Sequence, residues 1–308
     1  MSRKLAVLSF FVGACLAVDL VAGVDPAQAT YPGVNGRLAI GVTSADGNTD
    51  VYTVKPGGDA FRQLTTSPLF DACPAYSPDG KTIAFCRGAG ARFEIWAMKA
   101  NGMQQHQVTH TGGRVLFPDY SPDTSKIVFF GLLPGDLTPD IFVVNADDGS
   151  GLVRLTTDPG LDLFPTWSPD GSKIVFVSNR TGVLQVWVMD ADGGNPLQLT
   201  SDPANKGQVP DWSPDGTKIA YESDATGGGD IYVMNADGSG QTRLTTDPAA
   251  EFGTAWSPDG TQIAFSRGPA GVYVMNADGT DQHPVHPAGI NQLVPAWQPL
   301  PTDSDRSS

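Results

Sequence analysis

One phrase, Pro-x-aromatic-Ser-Pro-Asp-Gly, recurs along this chain and restricts its fold more than any other feature. Copies begin at Pro74, Pro118, Pro165, Pro210 and Thr254, and a broken copy begins at Pro295. The serine position of the phrase advances in steps of 44, 47, 45, 44 and 41 residues. A period of about 40–45 residues is typical of the four-stranded blade of a β-propeller.

Each copy is followed by the same series of short β-rich segments. A second apolar run, such as Ile83–Phe85, comes after the Ser-Pro-Asp-Gly turn. A third run, such as Asp230–Met234, comes after a variable loop, and a fourth ends in Leu-Thr or Val-Thr. In the turn, proline presets φ, aspartate suits the third position and glycine takes the left-handed conformation. Four such runs in each copy predict four antiparallel strands.

The two ends of the array complement each other. Asn35–Ile40 matches the second strand of the repeat, and the missing first strand of that unit recurs at Pro295–Pro299. We therefore predict an all-β fold, a six-bladed β-propeller with four antiparallel strands per blade, whose ring is closed by the C-terminal strand joining the N-terminal blade. The predicted divisions are a signal peptide at 1–29, the propeller at 30–299 and a disordered tail at 300–308.

The N-terminus has the pattern of an export signal. Arg3 and Lys4 precede an apolar run over residues 5–24, and Ala27-Gln28-Ala29 fits a small-x-small cleavage site. Cleavage after Ala29 predicts an exported protein, periplasmic or extracellular, with no transmembrane segment in its mature form. In the alternative, Val12–Cys15 is a lipobox and the protein is a lipoprotein anchored through Cys15.

The charge balance argues against two classes of partner. The 308 residues carry a net charge of −14. A surface of this sign repels nucleic-acid phosphates and anionic membranes, so we expect neither as a partner. Most of the acidic residues lie at repeated positions, such as Asp79 and Asp237, which indicates turn chemistry rather than a catalytic pair. We expect a monomer.

The repeat resembles the TolB-type, WD-like β-propeller repeat, PxWSPDGxxIAF…IYVMNADGSGxxxLT. Pro210–Thr246 matches this signature almost completely, and the resemblance covers about residues 35–299. The protein for which this repeat is named carries an additional α/β domain before its propeller, whereas here only Thr30–Val34 separates the signal from the first blade. The resemblance therefore implies a propeller domain only, without the N-terminal domain, and a protein or peptide partner in the cell envelope.

The sequence contains no arrangement of residues that predicts a catalytic centre. His106 and His110 lie in one unit and His283 and His286 in another that is not its neighbour, so a shared zinc site is not expected. The Gly-x-Ser-x-Gly elbow of serine hydrolases is missing. We predict no cofactor, with calcium at a turn such as Asp190–Gly193 as the weaker alternative.

Two cysteines, Cys73 and Cys86, flank one Ser-Pro-Asp-Gly hairpin. With Asp79-Gly80 as a two-residue turn, the two positions face each other across the hairpin, whereas a bulge would shift the register by one residue. A disulfide between them and two separate buried thiols are both consistent with the spacing.

The repeat divides the molecule into two faces. The turns between strands one and two and between strands three and four are nearly constant, and we call their side the constant face. The loops between strands two and three and between successive units differ strongly, and we call their side the variable face. Binding specificity is usually carried by loops on a rigid scaffold. The candidate binding residues on the variable face are Asp71, Arg87, Arg114, Phe117, Asp162, Phe164, Arg180, Lys206, Gln208, Asp224, Glu251, Phe252, Arg267 and Gln292.

Two functions fit these features. The first is a non-catalytic propeller that binds a protein, a peptide or a small ligand through the variable face and the channel mouth. The second is a metal-dependent enzyme acting on carbohydrates or lactones, a lyase or a lactonase. Carboxylates near the mouth, Asp71, Asp162 and Glu251, keep the second hypothesis open, while histidines distant from the channel disfavour it.

Overall fold

The computed structural model describes residues 31–202, 206–225, 227–285 and 291–302, with the side chains of 206–208 and 291–294 left out. The predicted signal peptide, the alternative anchor Cys15 and residues 303–308 of the predicted tail therefore lie outside the described residues. The side chains of Lys206, Gln208 and Gln292 lie outside them as well, although their main chain is placed in strands.

The regular secondary structure of the described residues consists of β-strands and one short 3₁₀ turn at Gly268–Ala270. In chain order the strands are β1 (Val34–Thr43), β2 (Thr49–Val54), β3 (Arg62–Gln63), β4 (Phe70–Tyr76), β5 (Thr82–Ala89), β6 (Arg92–Lys99), β7 (His106–Gln107), β8 (Arg114–Tyr120), β9 (Lys126–Leu132), β10 (Asp140–Asn145), β11 (Val153–Arg154), β12 (Asp162–Trp167), β13 (Lys173–Ser178), β14 (Gln185–Asp190), β15 (Leu197–Gln198), β16 (Lys206–Trp212), β17 (Lys218–Ser223), β18 (Asp230–Asn235), β19 (Thr242–Arg243), β20 (Glu251–Trp256), β21 (Gln262–Arg267), β22 (Gly271–Asn276), β23 (His283–Pro284) and β24 (Asn291–Leu300).

The strands form antiparallel groups of four in chain order. We call these groups unit 1 (β24, β1, β2, β3), unit 2 (β4–β7), unit 3 (β8–β11), unit 4 (β12–β15), unit 5 (β16–β19) and unit 6 (β20–β23). Units 2 and 3 are joined into one eight-stranded sheet by a single parallel pair, Phe93 with Arg114. The fourth strand of each unit is two residues long, which is shorter than the predicted run ending in Leu-Thr.

The pairing of the two chain ends agrees with the repeat. β1 pairs with β24 in antiparallel register, including Leu38 with Trp297 and Ala39 with Ala296. The first strands of successive units contact each other in turn, from β4 through β8, β12, β16 and β20 to β24, and β24 contacts β4. The first strands therefore lie innermost in an all-β propeller fold.

Every first strand in units 2 to 6 contains a bulge at an equivalent position. The bulged residues have left-handed backbone angles with φ between 52° and 65°, and they are Cys73, Phe117, Phe164, Val209 and Gly253. Beyond the bulge the register between the first and second strands shifts by one residue, for example from Ala72 with Cys86 to Ala75 with Ala84. The bulge absorbs the extra residue, so the side chains beyond it still alternate between the two faces of the sheet. The bulge occurs in the half of the first strand nearer the variable face, before the Ser-Pro-Asp-Gly turn.

Neighbouring units are also linked by buried hydrogen bonds between their first strands. Asp119 Oδ2 accepts the main-chain N–H of Trp167 at 2.8 Å, and Asp211 Oδ2 accepts that of Trp256 at 2.6 Å. The Trp297 indole donates to the Ala255 carbonyl at 3.1 Å. The repeated aromatic residues therefore lie between units, and the buried aspartates of the first strands fix the orientation of adjacent units.

The constant face is held by side-chain bonds within each turn. In unit 5, Ser213 Oγ donates to Asp215 Oδ1 at 2.6 Å and accepts the Lys218 N–H at 2.9 Å. Asp215 Oδ1 also accepts the Thr217 N–H at 3.0 Å. These donors, the serine hydroxyl first, lower the pKa of Asp215. The acidic residues of these turns thus act in turn chemistry, as predicted.

A second repeated device ties the third strand to the fourth. Thr65 Oγ1 donates to Asp50 Oδ1 at 3.0 Å and accepts the Val51 N–H at 2.9 Å. In unit 4 the neutral Gln185 takes the place of the acid and accepts from Thr200 Oγ1 at 2.7 Å. Because glutamine substitutes for aspartate, the requirement at this position is a hydrogen-bond acceptor rather than a charge.

The first described residues cross the constant face. Gly33 N–H donates to the Pro258 carbonyl in the unit 6 turn at 3.1 Å, and the buried Tyr31 hydroxyl donates to the Tyr120 carbonyl in unit 3. Burial raises the pKa of Tyr31, and Asp119 and Asp211 raise it further. Three residues therefore connect the turns of units 6 and 3 on this side of the molecule.

Candidate functional site

The candidate residues lie closer to the strands than the sequence analysis placed them. Asp71, Asp162 and Glu251 belong to first strands, and Arg87 and Arg267 belong to second strands. The loops that precede these first strands therefore end earlier than predicted, and the loops that follow these second strands begin later. The physical reason is the bulge, which lengthens each first strand at the variable-face end.

Three pairs of candidate residues are brought together as buried ion pairs. Arg87 donates Nε to Asp71 Oδ1 and Nη2 to Oδ2, both at 2.6 Å. Arg180 Nη2 donates to Asp162 Oδ1 at 3.0 Å and to Oδ2 at 2.9 Å. Such forked contacts between guanidinium and carboxylate are strong and geometrically specific.

The third pair joins Arg267 to Glu251, with Nε and Nη2 both 2.6 Å from Oε1. The three pairs occupy units 2, 4 and 6, so they recur in every second unit. Each carboxylate is fully buried and each arginine is nearly so. Burial raises the pKa of Asp71, and the Arg87 guanidinium opposes that shift.

Each of these arginines is also stacked on an aromatic ring. Arg87 lies over Trp96 at 4.6 Å, Arg180 over Trp187 at 4.9 Å and Arg267 over Tyr273 at 4.5 Å. Cation–π contacts of this kind hold the guanidinium plane in one orientation. The six charged candidates are therefore locked into the scaffold and form a rigid rim at the variable face.

The aromatic candidates are part of the core. Phe117, Phe164 and Phe252 were predicted on loops, but they lie in first strands and are buried. Phe117 stacks on Phe130 at 5.1 Å and meets Phe164 edge to face at 5.1 Å. The prediction that these residues lie on loops is therefore wrong, and Phe117 and Phe164 pack units 3 and 4 against each other. Their part in ligand binding stays a prediction.

The remaining described candidates lie at the same rim. The Arg114 guanidinium stacks on Phe93 at 5.6 Å. Asp224 follows β17, and its Oδ1 is buried without a hydrogen-bond partner among the described residues. Burial raises the pKa of Asp224, and Asp202 raises it further.

One residue of this rim was missed by the sequence analysis. Glu222, in β17, is buried, and its Oε2 has no hydrogen-bond partner among the described residues. Burial raises the pKa of Glu222 well above its usual range, and Asp224, Asp230 and Glu251 add to the shift. An alignment of the repeats could have identified Glu222, because the equivalent position in the other units never carries a charged residue.

The hairpin register bears on the two cysteines. Tyr76 pairs with Ile83 and Ala75 with Ala84, as a two-residue turn requires, but beyond the bulge Ala72 rather than Cys73 pairs with Cys86. Both cysteines are buried, and Cys86 Sγ accepts the Phe117 N–H of the next unit at 3.2 Å. The register argument for facing cysteines is thus wrong at this pair, and the disulfide itself stays a prediction.

Metal ligands are not clustered in the described part of the chain. Among residues 31–202, 206–225, 227–285 and 291–302, no three His, Cys, Asp or Glu side chains are placed so that they could hold a metal ion. The imidazoles of His106 and His283 contact the main chain of their own outer turns. No helix within these residues is long and apolar enough to cross a bilayer.

Comparison with known proteins gives consistent matches. The family model of the TolB beta propeller domain matches residues 16–131 and 203–302, and that of the Tricorn protease N-terminal beta propeller domain matches 137–228. An uncharacterised protein of Agrobacterium fabrum, Atu1656, is 34% identical over 134 residues, which is 44% of this chain and 42% of that protein. The Tol-Pal system protein TolB of Anaeromyxobacter dehalogenans is 34% identical over 42% of this chain, but the match spans only 29% of that protein.

Solved structures share the fold at low identity. TolB from Acinetobacter baumannii superposes with a TM-score of 0.73 at 22% identity, covering 86% of this chain and 67% of the other. An oligogalacturonate lyase in complex with manganese superposes with a TM-score of 0.58 at 17% identity, covering 84% and 78%. At these identities the likeness concerns the fold alone.

Proposed function

This chain belongs to the TolB beta propeller domain family, and we propose from that premise that it is an exported, non-catalytic propeller that binds a protein or peptide partner through its variable-face mouth. The observation that carries the proposal is the contrast between the two faces. The constant face repeats one hydrogen-bonded turn from unit to unit, whereas the loops of the variable face differ in every unit. A rigid scaffold bearing variable loops is the usual architecture of a binding surface.

We propose that the six units are six blades of a closed ring. The antiparallel pairing of β1 with β24 and the contact of β24 with β4 support closure. The outer edge of each unit is a strand of only two residues, so the mouth, rather than an edge strand, is the surface offered to a partner.

The charged rim favours a peptide-binding role over metal-dependent catalysis. The carboxylates that kept an enzyme hypothesis open, Asp71, Asp162 and Glu251, each receive an arginine of the same unit. A carboxylate held in this way is poorly available as a metal ligand or a general base. Its oxygens already accept hydrogen bonds from the guanidinium, which also stabilises the ionised form of the carboxyl group. We therefore place a carbohydrate- or lactone-acting enzyme second.

The proposal includes export to the periplasm or beyond. It rests on the basic start at Arg3 and Lys4, the apolar run after it and the Ala27-Gln28-Ala29 cleavage pattern. A partner would accordingly be a protein or peptide of the cell envelope.

Site-specific cross-linking on the two faces tests the proposal. A photoreactive phenylalanine analogue replaces Leu137, an 87% exposed residue of the variable face, and in a matched variant replaces Lys81, exposed on the constant face. We expect the Leu137 variant, expressed in an exporting bacterium, to form one defined adduct, and the purified adduct partner to bind wild-type protein saturably. Adducts of equal yield from both positions, or from Lys81 alone, would contradict the proposal.

A further inference from the structure

The six units differ at one position of the second strand in an informative way. The residue that follows the central aromatic or aliphatic residue of that strand is Gly41, Cys86, Phe130, Val177, Glu222 or Ser266. In each unit this residue pairs with the third-strand residue that directly follows Asp50, Glu94, Asp140, Gln185, Asp230 or Gly271, for example Glu222 with Ile231 and Cys86 with Ile95. Glu222 is thus the single charged residue at a position that is otherwise apolar or small.

This position faces the bulge in the first strand of the next unit. Cys86 accepts the N–H of the bulged Phe117, and Phe130 meets the bulged Phe164 edge to face at 5.3 Å. The bulged residue carries a buried side chain in units 2 to 5, but unit 6 has Gly253 there. The exceptional Glu222 therefore faces the exceptional Gly253, which contributes no side chain to this junction.

The carboxylate of Glu222 and the main chain of Glu251 approach the same point. A Cβ added to Gly229 would lie 3.2 Å from Glu222 Oε1 and 3.2 Å from the main-chain oxygen of Glu251. Glu222 is only 7% exposed, and Glu251 is fully buried. Glu222 Oε2 and Glu251 Oε2 are both buried without a hydrogen-bond donor from the described residues. A buried acceptor without a donor is costly, so its retention in a native fold calls for an explanation.

Unit 5 also lacks the arginine that its neighbours use. In units 2 and 6 the mouth carboxylate is paired with an arginine two residues after the central aromatic of the second strand, Arg87 after Phe85 and Arg267 after Phe265. The equivalent residue after Tyr221 is Ser223. The scaffold thus shows how it binds a guanidinium beside a buried carboxylate. Among the described side chains of unit 5, which do not include those of Lys206 and Gln208, no arginine or lysine bonds to Glu222.

We infer that the junction of units 5 and 6 is a subsite for a guanidinium group of the ligand, with Glu222 as its principal acceptor. The inference deepens the proposed function and rests on it: the ligand segment that reaches the mouth carries an arginine side chain. A planar cation with several N–H donors matches separate unpaired oxygens on Glu222, Glu251 and Asp224. These carboxylates are not among any group of described residues placed to hold a metal ion.

Ethylguanidinium chloride serves as the probe, and its binding to the purified mature protein is followed by ligand-observed NMR at constant ionic strength. Tetramethylammonium chloride, a cation without N–H donors, is the matched salt. Two variants are compared with wild type: Glu222→Gln, which removes the charge at constant shape, and Asp237→Asn, which removes one charge from an exposed turn on the constant face. The expected result is saturable binding of ethylguanidinium to wild type and to Asp237→Asn, and at least tenfold weaker binding to Glu222→Gln.

Stability gives a second readout. Because Glu222→Gln removes a buried carboxyl with an unpaired oxygen, we expect the Tm of this variant to equal or exceed that of wild type. If Glu222 instead stabilised the fold, its substitution would lower the Tm. Gly253→Val gives a further variant, since Val209 already occupies the equivalent left-handed position in unit 5, and its side chain should block the subsite with Glu222 intact.

The inference is overturned if wild type shows no saturable binding of ethylguanidinium, if tetramethylammonium binds equally well, or if Glu222→Gln binds the probe like wild type. These outcomes leave the proposed function standing, because that function is judged by the Leu137 cross-link alone. Loss of the Leu137 adduct together with retained, Glu222-dependent probe binding would contradict the proposed function and keep the subsite.

Discussion

The ion pair between Asp71 and Arg87 offers the most direct test of whether the charged rim is part of the scaffold. Asp71 is fully buried, and the Arg87 side chain is 9% exposed, so removing either partner leaves the other charge buried and uncompensated. Breaking a buried pair in this way costs about 3–5 kcal/mol. At roughly 2–4 °C per kcal/mol for a domain of this size class, Asp71→Ala or Arg87→Ala should lower Tm by about 6–20 °C.

The double variant Asp71→Leu/Arg87→Met removes both charges while keeping apolar volume, so it should lie much closer to wild type than either single variant. Lys81→Ala is the control, because Lys81 forms an exposed pair with Asp79 at 3.2 Å that should contribute less than about 1 kcal/mol. Chemical denaturation and calorimetry of the four proteins measure these effects. The reasoning is refuted if Asp71→Ala lowers Tm no more than Lys81→Ala does.

Two further predictions concern ring closure and pH. Gly80→Ala should strongly destabilise the folded protein, because a Cβ there would lie 2.0 Å from the Pro299 oxygen of β24. Gly90→Ala is the control, because Gly90 has a similar positive φ with open space around it and the substitution should cost far less stability. Equal Tm values for the two variants would refute the close approach of this turn to the C-terminal strand. Burial raises the pKa of Asp140 from 3.8 to about 6, against the opposing Arg154. Since the folded pKa exceeds the unfolded value, the contribution of Asp140 to stability is fully present below about pH 4 and is lost as pH rises through 6. Unfolding free energies measured from pH 4 to 7 should therefore fall with pH more steeply in wild type than in Asp140→Asn, and parallel curves would contradict the raised pKa.

The sequence by itself determined the parts of this protein that repeat. The period of the Pro-x-aromatic-Ser-Pro-Asp-Gly phrase predicted an all-β propeller, because each copy is a supersecondary unit that buries its apolar face only against its neighbours. It also predicted that Asn35–Ile40 and Pro295–Pro299 belong to one unit, and β1 does pair with β24. The turn acids, such as Asp215, were assigned correctly because their bonds are local and their spacing fixes them.

Only the tertiary structure decided what the mouth is made of. The period of the repeat does not reveal the one-residue bulge in the first strands of units 2 to 6. Because of this bulge, Phe117 and Phe164 lie in the core and Ala72 lies opposite Cys86. The partner of a charge depends on residues distant in sequence, so the pairing of Asp71, Asp162 and Glu251 with arginines could not be read from spacing alone. The repeat marks Glu222 as an exception, but its significance depends on non-local neighbours, because that significance lies in its burial beside the main chain of Glu251.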